Sequence, residues 1–565
     1  MQQISGRGRR AAARAASLVL DASVLVLAGL VFLIAVTGGG ILQAGDIRIR
    51  ARTVENPIWI LTALIALRYA ARNWGPFLGV RRWPVPSLID AARRLVLERM
   101  PDGLLASLAN PWRGLLAIAV GACLIKLLQA WTSPGFFSGD DVEVHEMSLA
   151  FLFGVKWPVW ELRSAFFPML FVYPAQRLAA ALGADTPEAL VFSGRAAVAI
   201  LSTLSIPLTW LAARRLVPDD RRVAALAVLF LAINKLHISF GSSELPRPVS
   251  TVFVVAAFLV LLRERLLASA AAGALLGIAA AFRFSEVVFL PAAVFALGGD
   301  RRWTKAAILL STAAITLLGV TAVADALYWG HPLASLAAIV DYTVVQRASS
   351  RGFEPPWQYI RIIPGWTTFV FLALAIAGSS RRYPDSWWTW TPLVLLSLLP
   401  HKESRYLIPI IPFFSIAAAR GFVRTGEWIR ASAEEGGWRR WGRDLFAPLF
   451  LLAMMHDVGG WRLARSNEGV RLAKYLASSG AGGVAAQDIW RLGGRPYLEG
   501  QDPLIALPPE LIDDASTAAA VADARWVALR SRTARTNGDA VMFALGFRRD
   551  DQWISDDYVL YVRQR

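Results

Sequence analysis

Long apolar stretches separated by short arginine-rich ones set the pattern of this chain. Apolar runs lie near residues 18–37, 57–73, 114–132, 190–213, 222–240, 248–262, 267–282, 285–298, 305–324, 366–379, 387–400, 406–419 and 445–459. Several reach the roughly 18 to 20 residues that a helix needs to cross a bilayer, so the pattern predicts a mainly α, polytopic membrane protein with about thirteen transmembrane helices. The stretch Ala165 to Leu182 is also apolar, but Pro168, Pro174, Gln176 and Arg177 interrupt it. It reads as a helix lying in the interface rather than a crossing. After Trp461 the long runs stop and short alternating stretches appear, such as Trp526 to Leu529 and Tyr558 to Val562. These predict a small soluble α/β domain. The chain divides accordingly into residues 1–112 (two helices and a basic loop), 113–461 (a membrane core) and 462–565 (the soluble domain).

Composition agrees with this pattern. Of 565 residues, 55% are hydrophobic, and the mean hydropathy is +0.45, values outside the range of soluble domains. A net charge of +17 would suggest nucleic acid in a soluble protein. Here no basic stripe carries stacking aromatics, and nucleic acid is not an expected partner. The basic residues instead cluster between apolar runs: Arg7, Arg9, Arg10 and Arg14; Arg81, Arg82, Arg93, Arg94 and Arg99; Arg214, Arg215, Arg221 and Arg222; Arg263 and Arg265; Arg301, Arg302 and Lys305; Arg381 and Arg382; Arg424 to Arg443. All fall on one side if each run crosses once, which places them in the cytoplasm. Residues 133–189, 235–247, 325–365 and 401–405 then face outside, together with the C-terminal domain. The run from Leu18 to Val36 resembles a signal peptide but is too long and lacks a cleavage site, and reads as a retained helix. A single cysteine, Cys123, excludes a disulfide framework within the chain. Abundant alanine and arginine suggest a GC-rich bacterial genome, hence a bacterial cell membrane.

Two polar clusters stand at the predicted external helix ends. His401-Lys402-Glu403-Ser404-Arg405-Tyr406, with Pro409 and Pro412 after it, sits between two apolar runs. Ionisable groups at such a boundary are costly and mark a functional site by default; snorkelling side chains at a helix end are the plain alternative. The other cluster reads Gly139-Asp140-Asp141-Val142-Glu143-Val144-His145-Glu146. A carboxylate there can serve as general base on a hydroxyl at the water–lipid boundary, and neighbouring carboxylates tend to raise one another's pKa. Two alternatives stay open. Asp140 can cap a helix beginning at Asp141, or Asp140, Asp141, His145 and Glu146 can hold a divalent cation. His237 and His331 read as interfacial residues. Most of the 22 tryptophans fit interfacial belts, with Trp160 and Trp357 placed to stack on a sugar.

The segment HKESRYLIPIIP, residues 401–412, resembles the HKEERF-type loop with spaced prolines of glycosyltransferase family 22. That family comprises polytopic α-mannosyltransferases that use a lipid-phosphate-linked mannose. Its acidic loop carries an Asp-Glu pair, a Glu seven residues after the Asp, a Gly, then Trp-Glu and Arg-Ser. Glu146, Gly154, Trp160-Glu161 and Arg163-Ser164 match, the last two pairs being closer together than in the family. The acidic pair departs: Asp140 precedes Glu146 by six residues, and Asp141 replaces the Glu. Asp325 to Gly330 resembles the family's D-x-x-F-Y-G stretch, and Pro356-Trp357 its Pro-Trp segment. Ser242, Arg247, Ser250 and Arg283 resemble its polar positions. The similarity runs from about residue 114 to 420 and implies a GT-C fold.

The resemblance implies transfer of a sugar, mannose first, from a polyprenyl phosphate to a hydroxyl of a lipid or glycan acceptor on the external face. Inversion would give an α-linked product from a β-linked donor, with no nucleotide sugar, metal or other cofactor. It implies catalytic roles for Asp140, Asp141 and Glu146, with Asp140 favoured as base. It assigns donor-phosphate binding to His401, Lys402 and Arg405, and support to Glu403, Glu161, Arg163, Arg247, Arg283 and Tyr328. Arginine and lysine suit a departing phosphate, the first bidentately and the second as a point charge. Another lipid-linked sugar, such as arabinose or glucose, is the nearest alternative. A transporter or flippase predicts mid-membrane charges and internal repeats, and no repeat is visible.

Overall fold

The computed structural model describes residues 15–31, 40–44, 47–51, 55–70, 91–92, 94–96, 111–157, 159–298, 301–346, 353–431, 438–461, 468–498, 500–508 and 514–564. Arg7, Arg9, Arg10, Arg14, Arg81, Arg82, Arg93 and Arg99, and the start of the predicted soluble domain at 462–467, lie outside the described residues. After a helix over Ala15–Val31, a hairpin of β1 (Gly40–Ala44) and β2 (Ile47–Ala51) follows that was not expected; the alternation Ile47-Arg48-Ile49-Arg50 is its trace in the sequence. Helices then follow the apolar pattern: α1 (Glu55–Ala70), α2 (Pro111–Thr132), α3 (Gly139–Phe153), α4 (Pro187–Thr203), α5 (Ser205–Leu216), α6 (Arg221–Ile233), α7 (Arg247–Leu261), α8 (Leu266–Phe282), α9 (Phe289–Ala296), α10 (Arg302–Trp329), α11 (Phe369–Gly378), α12 (Pro384–Leu398), α13 (Ile411–Ala431), α14 (Trp438–Gly459) and α15 (Glu468–Ser478). Among the described residues, four helical stretches are long and apolar enough to cross a membrane: Arg113–Thr132, Pro187–Leu216, Arg302–Trp329 and Ser404–Ile429.

Local chemistry explains where the runs break. Pro207 stands near the start of α5 and offers no N–H to the carbonyl of Thr203, so α4 and α5 are distinct segments of one run. The run 222–240, read as continuous, is cut at Asn234, whose backbone is extended and whose side chain accepts from the N–H groups of Leu236 and His237. That capping starts a new helix, Lys235–Phe240. Gly154, at φ 73°, closes α3 in the left-handed region, its N–H bonding to Ala150 O at 2.9 Å. Small residues allow the closest helix contacts. Added Cβ atoms at Gly273 and Gly277 of α8 would collide with Leu309 and Ala313 backbone oxygens of α10. Gly378 of α11 and Gly421 of α13 likewise abut one another's helices.

The segment read as interfacial forms helical turns over Pro168–Ala181 that pack on α3 and α4. At the C-terminus, α15 precedes a five-stranded sheet of order β4-β3-β5-β7-β6. Its strands are β3 (Gly483–Gln487), β4 (Leu504–Leu507), β5 (Ala524–Arg530), β6 (Phe547–Arg549) and β7 (Tyr558–Arg563). β3, β4 and β5 are parallel to one another, and β7 runs antiparallel to both of its neighbours, β5 and β6. One apolar cluster of this region continues through Phe136, Val142 and Val191 to α3 and α4. Tyr497 Oη also donates to Pro134 O at 3.3 Å. The sheet region therefore braces the start of α3 from behind.

Candidate active site

α3 begins at Gly139, so Asp140 and Asp141 both lie in its first turn, where the helix dipole favours negative charge. A helical period of 3.6 sends them to different faces. Asp140 and Glu143 point to one side. Arg163 contacts both, through Asp140 Oδ1 and Glu143 Oε2. Asp140 Oδ2 receives Arg283 Nη2 at 3.1 Å and Arg405 Nη2 at 3.2 Å. These three arginines come from the loop after α3, the end of α8 and the motif before α13. Arg405 also donates to Ser138 Oγ at 3.1 Å and pairs with Glu403. Beyond them Arg247 stacks on Tyr406, 3.8 Å from the ring centroid, and meets Glu286 at 3.7 Å and Ser285 Oγ at 3.0 Å.

Asp140 is thus not the cap of a helix starting at Asp141. Nor do neighbouring carboxylates raise its pKa. Burial works against its charge, but Arg283, Arg163 and Arg405, with Arg247 behind, hold its carboxyl well below the usual carboxylate range. Burial pushes the Glu143 carboxyl up against the pull of Arg163.

Asp141 turns to the other face and is fully buried. Its carboxylate accepts from Phe137 N at 3.1 Å and Glu244 N at 2.7 Å, and Arg195 Nη2 lies 3.6 Å away. His145, one turn on, places Nδ1 2.8 Å from Glu244 Oε2 and 3.0 Å from Gln176 Nε2. Burial raises the Glu244 carboxyl, with His145 opposing. One face of α3 is therefore an arginine-lined ionic cluster, and the other a buried polar network.

The sequence profile of the Alg9-like mannosyltransferase family matches residues 142–465. The chain belongs to this family. It is 27% identical over 322 residues to alpha-1,2-mannosyltransferase ALG9 of Arabidopsis thaliana, covering 53% of this chain and 55% of the relative. It is also 27% identical over 191 residues to a Dol-P-Man:Man(7)GlcNAc(2)-PP-Dol alpha-1,6-mannosyltransferase of Drosophila melanogaster, covering 30% and 28%. The chain thus spans about half the length of the first of these curated relatives and less of the second. Its fold is similar to apo ArnT of Cupriavidus metallidurans, with a TM-score of 0.50 at 13% identity over 80% of this chain and 98% of the other. It is also similar to the apo oligosaccharyltransferase of Archaeoglobus fulgidus, with a TM-score of 0.51 at 12% identity over 76% and 71%. Both likenesses show the expected GT-C fold. The profile match begins just after Asp140 and Asp141.

Other members of the family motif fall in three places. Arg163, Arg247, Arg283, Glu403 and Arg405 join the ionic cluster. Glu146 is buried three residues beyond Glu143 and exerts its charge on Tyr328, whose ring packs against Phe151 and Trp329. Asp325 closes the turn after α10, accepting from Ser335 N at 2.9 Å and Oγ at 2.6 Å. Among the described residues, the remainder form no hydrogen bond or ion pair with Asp140. Glu161 is exposed. Lys402 donates its ammonium to the backbone carbonyls of Glu354, at 2.7 Å, and Leu399. His401 Nε2 lies 3.2 Å from Glu403 Oε1. Trp160 stacks edgewise on Tyr342, and Trp357 is exposed. Asp140, Asp141, His145 and Glu146 do not converge, and among the described residues no three His, Cys, Asp or Glu side chains could share a metal ion. Sequence reasoning did not find Glu244, Arg195, Gln176 or Glu286. Arg195 carried a signal, since it interrupts the apolar run of α4.

Proposed function

We propose that this chain is a membrane glycosyltransferase that moves a sugar, mannose first, from a polyprenyl-phosphate donor to a hydroxyl of a lipid or glycan acceptor with inversion. The observation that carries this reading is the convergence on Asp140 of arginines from three separate segments. That arrangement provides a carboxylate for the acceptor and guanidiniums for the departing phosphate within one cluster. Family membership supports mannose, and the relatives' names include a Dol-P-Man-dependent transferase. Arg405 is the motif residue best placed for the phosphate, with Arg283 beside it; Lys402 and His401 support the loop. Asp140, rather than Asp141, is the base in this reading, because Asp141 spends both carboxylate oxygens on backbone N–H groups.

The reading includes about thirteen crossings, with the ionic cluster on the external face and the C-terminal sheet region on that side. Two sets of contacts support this disposition. Asp140, Arg163, Arg247, Arg283 and Arg405 share one end of the bundle. The basic positions predicted for the cytoplasm meet elsewhere: Arg222 pairs with Glu427 at 3.1 Å, and Arg215 donates to Leu259 O at 2.9 Å. Membranes carrying the protein, incubated with radiolabelled polyprenyl-phosphate mannose and extracted lipids, should yield a labelled product. Absence of label in every lipid and glycan fraction, with folded protein present, would refute the reading. Label from polyprenyl-phosphate glucose or arabinose alone would move the sugar and keep the reaction class.

A further inference from the structure

The resting ionic cluster poses a chemical problem. Guanidiniums take three of the about four lone-pair sites of the Asp140 carboxylate, two of them on Oδ2, so Oδ2 is closed to a hydroxyl proton. Among the described residues, the cluster also has no spare arginine. Arg163, Arg247, Arg283 and Arg405 stand against Asp140, Glu143, Glu286 and Glu403, each arginine in contact with at least one of these carboxylates. A phosphate entering here must take a guanidinium from a carboxylate.

We propose that Arg283 and Arg405 change ligand during the reaction: the donor phosphate draws them from Asp140 Oδ2, and the oxygen so released accepts the acceptor's proton. This rests on the transferase reading above. Arg163 remains on Oδ1, anchored also by Glu143, and keeps the carboxylate oriented. Arg283 pairs with Asp140 at 3.1 Å, whereas Arg405 is also held by Glu403 and Ser138. Arg283 is therefore the more readily transferred of the two.

The step balances. The acceptor oxygen forms its bond to the anomeric carbon as the bond from that carbon to the phosphate oxygen breaks. The bonding pair stays on the phosphate, and the hydroxyl proton goes to Asp140 Oδ2. Negative charge thus passes from carboxylate to phosphate, and the guanidiniums move the same way. A phosphodiester of charge about −1 becomes a monoester of about −1.5 to −2, which holds arginine more strongly. The exchange also relieves a mismatch in basicity. In the resting cluster Asp140 is held far below the ordinary carboxylate range and is a weak base. Removal of two guanidiniums as the donor arrives raises that basicity only when it is needed.

The test measures binding of a polyprenyl phosphate lacking the sugar to the purified full chain in detergent. Asp140→Asn removes the competing anion, so affinity should rise about tenfold or more, as expected for release of a charge-assisted pair. Arg283→Ala should lower affinity by about tenfold and erase the gain when combined with Asp140→Asn, while Arg163→Ala should change it less than about threefold. Equal or weaker binding by Asp140→Asn overturns the exchange. Should Asp140→Asn fail to fold, Arg283→Ala decides alone, and undiminished affinity overturns the exchange. A wild-type protein that binds the phosphate and transfers sugar, with Asp140→Asn unchanged in affinity, removes the exchange and leaves the transferase. A wild-type protein that neither binds nor transfers removes both.

Discussion

Asp140 and Asp141 are adjacent and chemically identical, yet their substitution should damage different properties. Asp141→Asn keeps the shape but replaces a carboxylate that accepts two backbone N–H bonds, at 3.1 and 2.7 Å. An asparagine has one carbonyl oxygen, so its amide group must face one of those N–H donors. A lost hydrogen bond to a charged group costs about 1.5–3 kcal/mol. Arg195, fully buried 3.6 Å away, keeps its bonds to the carbonyls of Ser133 and Gly135 but loses its counter-charge. Breaking a buried pair by removing one partner costs about 3–5 kcal/mol, and the two effects overlap. Asp141→Asn should therefore lower stability by about 3 kcal/mol. Asp140→Asn leaves Arg163 with Glu143 and Arg405 with Glu403, in a site that is part exposed, and should cost less. Its turnover should fall by about two to four orders of magnitude, as for loss of a general base.

The assay pairs thermal unfolding of the purified variants in detergent with turnover per folded molecule. Asp141→Asn should melt early and retain turnover within about tenfold of wild type, a loss below that for a missing base. An Asp141→Asn protein of wild-type stability that has lost a hundredfold or more in turnover would reverse the assignment and restore the register of the family's acidic pair.

Further outcomes follow from single contacts. Lys402→Ala should reduce thermal stability and leave donor saturation unchanged, because the ammonium holds backbone carbonyls; Arg405→Ala should raise the donor KM, with Arg405→Lys a partial rescue because the fork is lost. Glu244→Gln tests the buried network through pH. Burial raises the Glu244 pKa, so its contribution to stability is full below the unfolded value near about 4.3 and is lost as pH rises through the folded value. The glutamine cannot ionise, so melting curves at pH 5 and pH 8 should show the variant gaining on wild type with rising pH, and a constant difference would refute this. Gly378→Ala places a methyl group against the Ala417 carbonyl and Gly421 N, both backbone. It should destabilise by about 3 kcal/mol, read as a lower melting temperature.

Much of the architecture was legible because its cause is local. An apolar run with few charges has to satisfy its backbone internally, and helices follow. Breaks within runs were less visible, since Asn234 acts through two capping hydrogen bonds and Pro207 through one missing N–H, and hydropathy does not register them. The C-terminal strands over Trp526–Leu529 and Tyr558–Val562 showed their alternation. Their packing on Phe136 and Val142 did not, because it joins segments more than three hundred residues apart in sequence.

The site divides the same way. The acidic segment and the 401–406 motif were both expected at external helix ends, and Arg405 meets Asp140. What misled was treating 139–146 as one set of neighbouring carboxylates. Once Gly139 starts the helix, a spacing of three pairs Asp140 with Glu143, and a spacing of four pairs Asp141 with His145, on opposite faces. The two carboxylates then meet different partners: arginines for one, backbone amides and Arg195 for the other. Lys402 and Arg405 part for a related reason. α12 ends at Leu398, and Leu399 O is left among its unsatisfied carbonyls, a natural acceptor for the nearest flexible cation. Lys402, three residues on, supplies it. Arg405 follows Ser404, where a new helical turn starts, and that turn directs its guanidinium back across the bundle end to Ser138 and Asp140. Two cations in one short motif are thus assigned opposite tasks by where one helix stops and the next begins, information carried by backbone hydrogen bonds rather than by residue type.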